Sequence, residues 1–186
     1  MKSFKLVTIL PRLALLALLL PAGMLAAQNP DSAAISDLLK VVESHATQAD
    51  DDAQMLANYT LSNLDWRTHA NQLNSIKEHI NNLISDANQL TSLRDEGSPW
   101  QQEAIDRIDP LLREMANHLN ITIEHLNSNQ SQVHMPPYKD YVRANLDLMT
   151  RAHEAIADFV DYGAARTTAD ELEQKLELPA SEPTSE

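Results

Sequence analysis

The 186-residue chain contains no cysteine, only three glycines, and eight aromatic side chains: two tryptophans, four tyrosines and two phenylalanines. Without thiols there can be no disulfide, no thiolate metal site, no covalent haem attachment and no cysteine nucleophile. So few glycines cannot supply the turns of a hairpin series, and β-branched alternation is almost missing, so no stretch reads as a strand. Basic residues are scarce as well. Fourteen Lys and Arg stand against 27 Asp and Glu, a net charge of −13. That balance makes nucleic acid and anionic membrane surfaces poor partners, because both need a basic footprint. A cationic partner, a polycationic ligand or a divalent metal fits the field better, although acid on a solvated face also serves plain solubility.

The one long uninterrupted apolar run lies at the N-terminus. Lys2, Lys5 and Arg12 form a positive region, Leu13 to Leu20 an apolar core, and Pro21 to Ala27 a small-residue approach to a cleavage point after Ala27. This is the pattern of a secretory leader over residues 1–27. The alternative is an uncleaved anchor. Pro11 and Arg12 interrupt the run, leaving it shorter than the roughly 20 residues a spanning helix needs. No cysteine follows to take a lipid. Cleavage removes three cations and no acid, deepening the net charge from −13 to −16. The expected mature protein has no membrane span and resides in the periplasm or outside the cell.

What remains, about 160 residues, suffices for one domain without staples, and its grammar is helical. Apolar residues recur at heptad spacing in four stretches, predicting helices near 32–62, 64–95, 98–129 and 137–162. The second has the clearest repeat, Trp66, Leu73, Ile80 and Ala87 at every seventh position. Ser98-Pro99-Trp100-Gln101 is a strong helix start, with serine at the cap, proline at the first position and glutamine completing a capping box. Pro110 should kink the third helix near Asp106. Asp50, Asp51 and Asp52 are placed mainly on the solvated side of the first helix. The expected core includes Leu73, Ile80, Leu83, Ile108, Met115, Leu119, Val142, Met149 and Ile156.

Gly163 is read as ending or sharply bending the fourth helix. Thr168 with Glu171 then opens a short acidic helix spanning 164–178, and 179–186 is a disordered tail by composition. That short helix either docks on the bundle through Leu172, Leu176 and Leu178 or stays mobile and available to a partner, and weak docking is the expectation. Short connections between helices of similar length imply antiparallel neighbours. The fold class is therefore all-α: an up-down-up-down antiparallel four-helix bundle over 28–163 with a short C-terminal helical appendage.

Three phrases carry a resemblance: Trp66 to Leu83 (WRTHANQLNSIKEHINNL), Pro99 to Leu112 (PWQQEAIDRIDPLL) and Phe159 to Gly163 (FVDYG). They resemble an uncharacterised family of secreted helical-bundle proteins from environmental bacteria. The resemblance covers most of the mature chain and implies export and a bundle. It implies no activity and no functional residue.

Bundle interiors often hold metals or haem, so the seven histidines are the candidates to test. None has glutamate three residues before it, which removes the paired Glu-x-x-His signature of di-iron bundles. His153-Glu154 is followed by Ala157 and not by histidine where a zincin helix would need it. Noncovalent b-type haem needs only one or two Met or His ligands and stays open, but the stripes are already filled with large apolar side chains. Folding the helices back on one another about residues 63, 97 and 132 brings His45, His79, Glu114 and His153 to similar heights, a possible first-row metal layer. His69 and His125 come level by the same construction, with Asp140 near them. Equal height is not equal azimuth, so solvated or interhelical hydrogen-bonding histidines are the competing reading. No serine sits in a nucleophile elbow. Tyr138, Tyr141 and Tyr162 read as packing residues near helix ends.

Two functions follow. The first is a non-catalytic envelope protein that binds another envelope protein, or itself, through a helical face, with no cofactor. The second is a carrier of a small ligand, a divalent metal or haem b inside the bundle. An enzyme is not expected.

Overall fold

The computed structural model describes residues 29–176. The expected cleavage point and the 179–186 tail lie outside the described residues. Four α-helices follow in order: α1 Ala33–Tyr59, α2 Trp66–Leu93, α3 Pro99–Ser128 and α4 Pro136–Leu176, with single 3-10 turns at Arg94–Glu96 and Gln130–Gln132. Among the described residues there is no strand, and no helix is long and apolar enough to cross a membrane.

Side chains at the helix ends explain where the first three begin. Asp65 Oδ1 accepts the Thr68 N–H at 3.0 Å to cap α2, and this bond holds the exposed Asp65 carboxyl below its ordinary pKa. Pro99 occupies the first turn of α3, and Gln101 Oε1 accepts the Ser98 N–H at 3.1 Å. The same Gln101, fully buried, also accepts the Ser32 N–H and donates to the Ser32 carbonyl, both at 2.8 Å. The start of α1 is thus tied to the start of α3, since Ser32 makes no side-chain cap of its own. α3 runs through Pro110 without interruption.

α1 packs on α2 and α4, and α3 packs on the same two. The helices therefore stand as a square in chain order. Cross-links running in opposite chain directions show that neighbours are antiparallel: His45 meets Asp86 while Asp52 meets His79, and Asp31 meets Arg166 while Asp50 meets Thr150. This is the up-down-up-down bundle that the periodicity predicts.

All nine expected core residues are buried. Burying each large aliphatic side chain contributes about 1.5–3 kcal/mol, and this term holds helices that would be marginal alone. On α1 the buried stripe includes Ala46, Ala49 and Ala53, small residues that let α2 and α4 approach closely. Asp51 and Lys77 are exposed and Asp52 is half-buried. Asp50 departs from the expectation. It is buried, accepting from Thr150 Oγ1 and Gln54 Nε2 at 2.7 Å each, because the α1 stripe turns that position towards α4.

α4 departs further. It continues without a break through Gly163 for 41 residues, so residues 164–176 are the end of α4 and not a separate helix. Thr168 does not cap; its hydroxyl donates to the Ala164 carbonyl four residues back at 2.9 Å. Leu172 and Leu176 stay 50% and 61% exposed, so the expected docking through them is not made. The reason is register. Arg166 already lies beside Asp31, just before α1 begins, and among the described residues no other helix extends alongside the following turns of α4.

Candidate functional site

The four residues expected to form a metal layer do not converge. His45 Nδ1 lies 2.8 Å from Asp86 Oδ2, and His79 Nε2 lies 3.4 Å from Asp52 Oδ2, both across the α1/α2 seam. His153 sits across the other seam of α1, with Nε2 3.3 Å from Thr47 Oγ1 and Nδ1 3.9 Å from Asp50 Oδ2. Glu114 is exposed on α3. Each imidazole thus has its own acidic neighbour. The turn after Tyr59 sets a register that places His45 opposite Asp86 and not opposite His79, one heptad away and about 10 Å along the axis. Among the described residues, no three His, Asp or Glu side chains are gathered so as to hold a metal. The interhelical hydrogen-bonding alternative is what the geometry contains.

The second histidine group takes an unexpected form at the far end of the bundle. His69 is fully buried, and its Nδ1 lies 3.2 Å from the hydroxyl of buried Tyr138. The rings of Tyr59, Tyr138 and His134 stand edge-on around it at 5.4–6.5 Å. Burial, reinforced by the nearby His134, lowers the His69 pKa, with Asp65 acting weakly the other way. Burial raises that of Tyr138. Both groups are therefore kept neutral, and the pair serves as a polar pin in an apolar setting. His69 Nε2 has no hydrogen-bond partner among the described residues. His125 also comes to Tyr138, stacked at 6.3 Å. Asp140, expected near these two, is exposed and faces Arg143. Buried Asn145 hydrogen-bonds Thr122 Oγ1 across the α3/α4 seam and the Tyr141 carbonyl at 3.0 Å. A buried polar contact between helices, such as this one, favours one register over others.

The opposite end carries a group of adjoining clefts arranged around Trp100. Its Nε1 donates to Asp31 Oδ1 at 2.8 Å, and its ring meets Tyr162 edge-on at 5.4 Å. α4 passes directly over the indole at Gly163, where a Cβ would fall 2.7 Å from Cη2. Arg166, one turn on, lies 5.8 Å over the Tyr162 ring and 3.5 Å from Asp31. Three clefts of about 260, 320 and 430 Å³ share the Trp100 wall. The largest is a groove between α3 and α4 whose floor includes Leu111 and Phe159 and whose rim carries Glu103, Arg107 and Asp158.

Little in the chain's local pattern points to this end. Trp100 stands out there only as the residue after a helix-starting proline, and its pairing with Tyr162 and Gly163 is a long-range contact.

Compared with protein-family models, with curated proteins and with solved structures, the chain matches none. Of what the resemblance in Trp66–Leu83, Pro99–Leu112 and Phe159–Gly163 implies, the all-α bundle is present in the structure.

Proposed function

We propose that this chain is an exported, non-catalytic interaction module of the cell envelope that engages a protein partner through the Trp100 end of its bundle. The observation that carries the reading is the uncovered end of α4. Tyr162, Ala165, Ala169, Leu172 and Leu176 recur at alternating spacings of three and four, the seam of a helix that packs against another helix, and all five are exposed. A helix end with so little of its own to bury is marginal in isolation, which favours a partner that completes it. The strong negative charge supports a cationic partner, whose association it would speed.

The carrier reading has less support. The bundle centre is occupied by Leu73, Ile80, Ile108, Met115 and Met149, all 2% exposed or less, where haem or a small ligand would need room.

A photo-crosslinking residue at Leu172, with one at Asp51 as control, tests the proposal in cells that export the protein. The expected outcome is one discrete adduct from position 172 and none from position 51, with mass spectrometry separating a foreign partner from a second copy. Equal labelling from both positions would overturn it.

A further inference from the structure

Resting on that reading, we infer that the α3/α4 groove beside Trp100 is the seat for a cationic amphipathic helix of the partner. The groove follows one face of each helix: Trp100, Arg107 and Leu111 on α3, and Phe159 and Tyr162 on α4. Residues 100 to 111 cover about three turns, on the order of 16 Å, enough for a helix to lay two or three apolar side chains into the seam. The floor is already prepared for this, since Leu111 and Phe159 are only partly covered by the core they pack against and Tyr162 is 47% exposed.

Charge selects the occupant. The one cation on the groove wall, Arg107, is held by Glu103 at 2.5 Å, so that pair is internally neutral. On the α4 side Asp158 lines the groove, and Glu154 and Asp161 stand at helical spacing before and after it on the same helix, all three exposed, and none forms an ion pair with a described residue. Arg151, the nearest cation before them on α4, donates instead to the Asp147 carbonyl. The groove therefore offers an apolar trough with a one-sided acidic bank. An acidic or neutral helix would leave that bank uncompensated, whereas a helix with leucines on one face and lysines or arginines beside them satisfies both features.

The experiment uses the mature chain carrying Trp66→Phe, so that Trp100 is the only tryptophan. It is titrated with a synthetic leucine/lysine amphipathic helix and, separately, with its leucine/glutamate counterpart, following Trp100 fluorescence and the heat of binding. Saturable one-to-one binding of the lysine peptide alone is expected, with a Trp100 spectral shift. Asp158→Lys with Asp161→Lys should weaken it at least tenfold, while Asp51→Lys with Glu78→Lys, the same charge change elsewhere, should weaken it less than threefold. Circular dichroism confirms that each variant is folded. Equal weakening by both pairs would show diffuse attraction and overturn the groove assignment; so would equal binding of both peptides, or no binding. Crosslinking from Leu172 that survives Asp158→Lys with Asp161→Lys would overturn this assignment while leaving the α4 end as an interaction element.

Discussion

Gly163 lies against Trp100 so closely that a Cβ at position 163 would stand 2.7 Å from the indole Cη2 and 3.2 Å from Cζ2. Read along the chain, this glycine is a helix stop; in the fold it is the point where α4 crosses an aromatic ring and continues. The same contact fixes the Trp100 wall shared by the three clefts.

Gly163→Ala should therefore destabilise the protein. Alanine gains up to about 1 kcal/mol in helix propensity, but forcing a methyl against a ring held by Asp31 and Tyr162 costs about 1–3 kcal/mol, so a net loss of about 1 kcal/mol is expected in urea melts. With Trp100→Leu the ring is gone and the sign should reverse. A stabilising Gly163→Ala in the parent protein would show that the indole yields freely.

The α1/α2 seam should show measurable coupling between His45 and Asp86. Their contact is 2.8 Å and both side chains are largely covered, at 26% and 12% exposure. A double-mutant cycle to alanine is expected to give an interaction of about 0.5–1.5 kcal/mol. His79 and Asp52, at 3.4 Å, should give less. Coupling within error of zero for His45 and Asp86 would leave the seam held by its apolar stripe alone.

Acid should weaken the fold through His69. Its folded pKa is lowered by burial, so between the unfolded value and the folded one the unfolded chain binds more protons and stability falls as the pH drops. The loss begins near the ordinary histidine pKa of about 6.5 and is complete below the folded value. Comparing urea midpoints at pH 7.5 and 5.5 for the parent and His69→Leu isolates this group from the other six histidines. The parent should lose more stability on acidification than the variant, and equal losses would remove His69 from the account.

Truncation after Ala169 should leave the bundle's melting temperature within a few degrees of the parent while lowering helix content, because the described residues it removes, 170–176, are almost all exposed. A collapse of the melting transition would make the α4 end part of the core.

Ile80→Ala should cost about 2–5 kcal/mol, since Ile80 is 2% exposed on the α2 stripe. An unchanged midpoint in denaturant would show that the stripe is not the packed interior.

Periodicity and local chemistry made most of the fold legible. The α2 heptads from Trp66 to Ala87, and Ser98-Pro99 with Gln101, are short-range signals whose physics lies within one or two turns, and the first three helices lie within three residues of their expected ends. Gly163 and the Thr168/Glu171 pair failed as signals because a contact from another helix outweighed a local preference. Thr168, given a continuing helix, back-bonds to Ala164 in place of capping. The histidine layer failed for a related reason. Height could be approximated from loop positions, but the register of the turn after Tyr59, which sets His45 against Asp86, could not.

The sequence by itself determined the four helices, their amphipathic faces, the acidic surface and the identity of the central core, because 3.6-residue periodicity and net charge are properties of composition and spacing. Tertiary structure alone decided which polar groups meet. Asp50 turns inward to Thr150, His69 is buried against Tyr138, Gln101 ties two helix starts together, and Trp100 receives α4 at Gly163. Each of these depends on the azimuth and register of one helix against another, to which a pattern repeating along a single helix is blind.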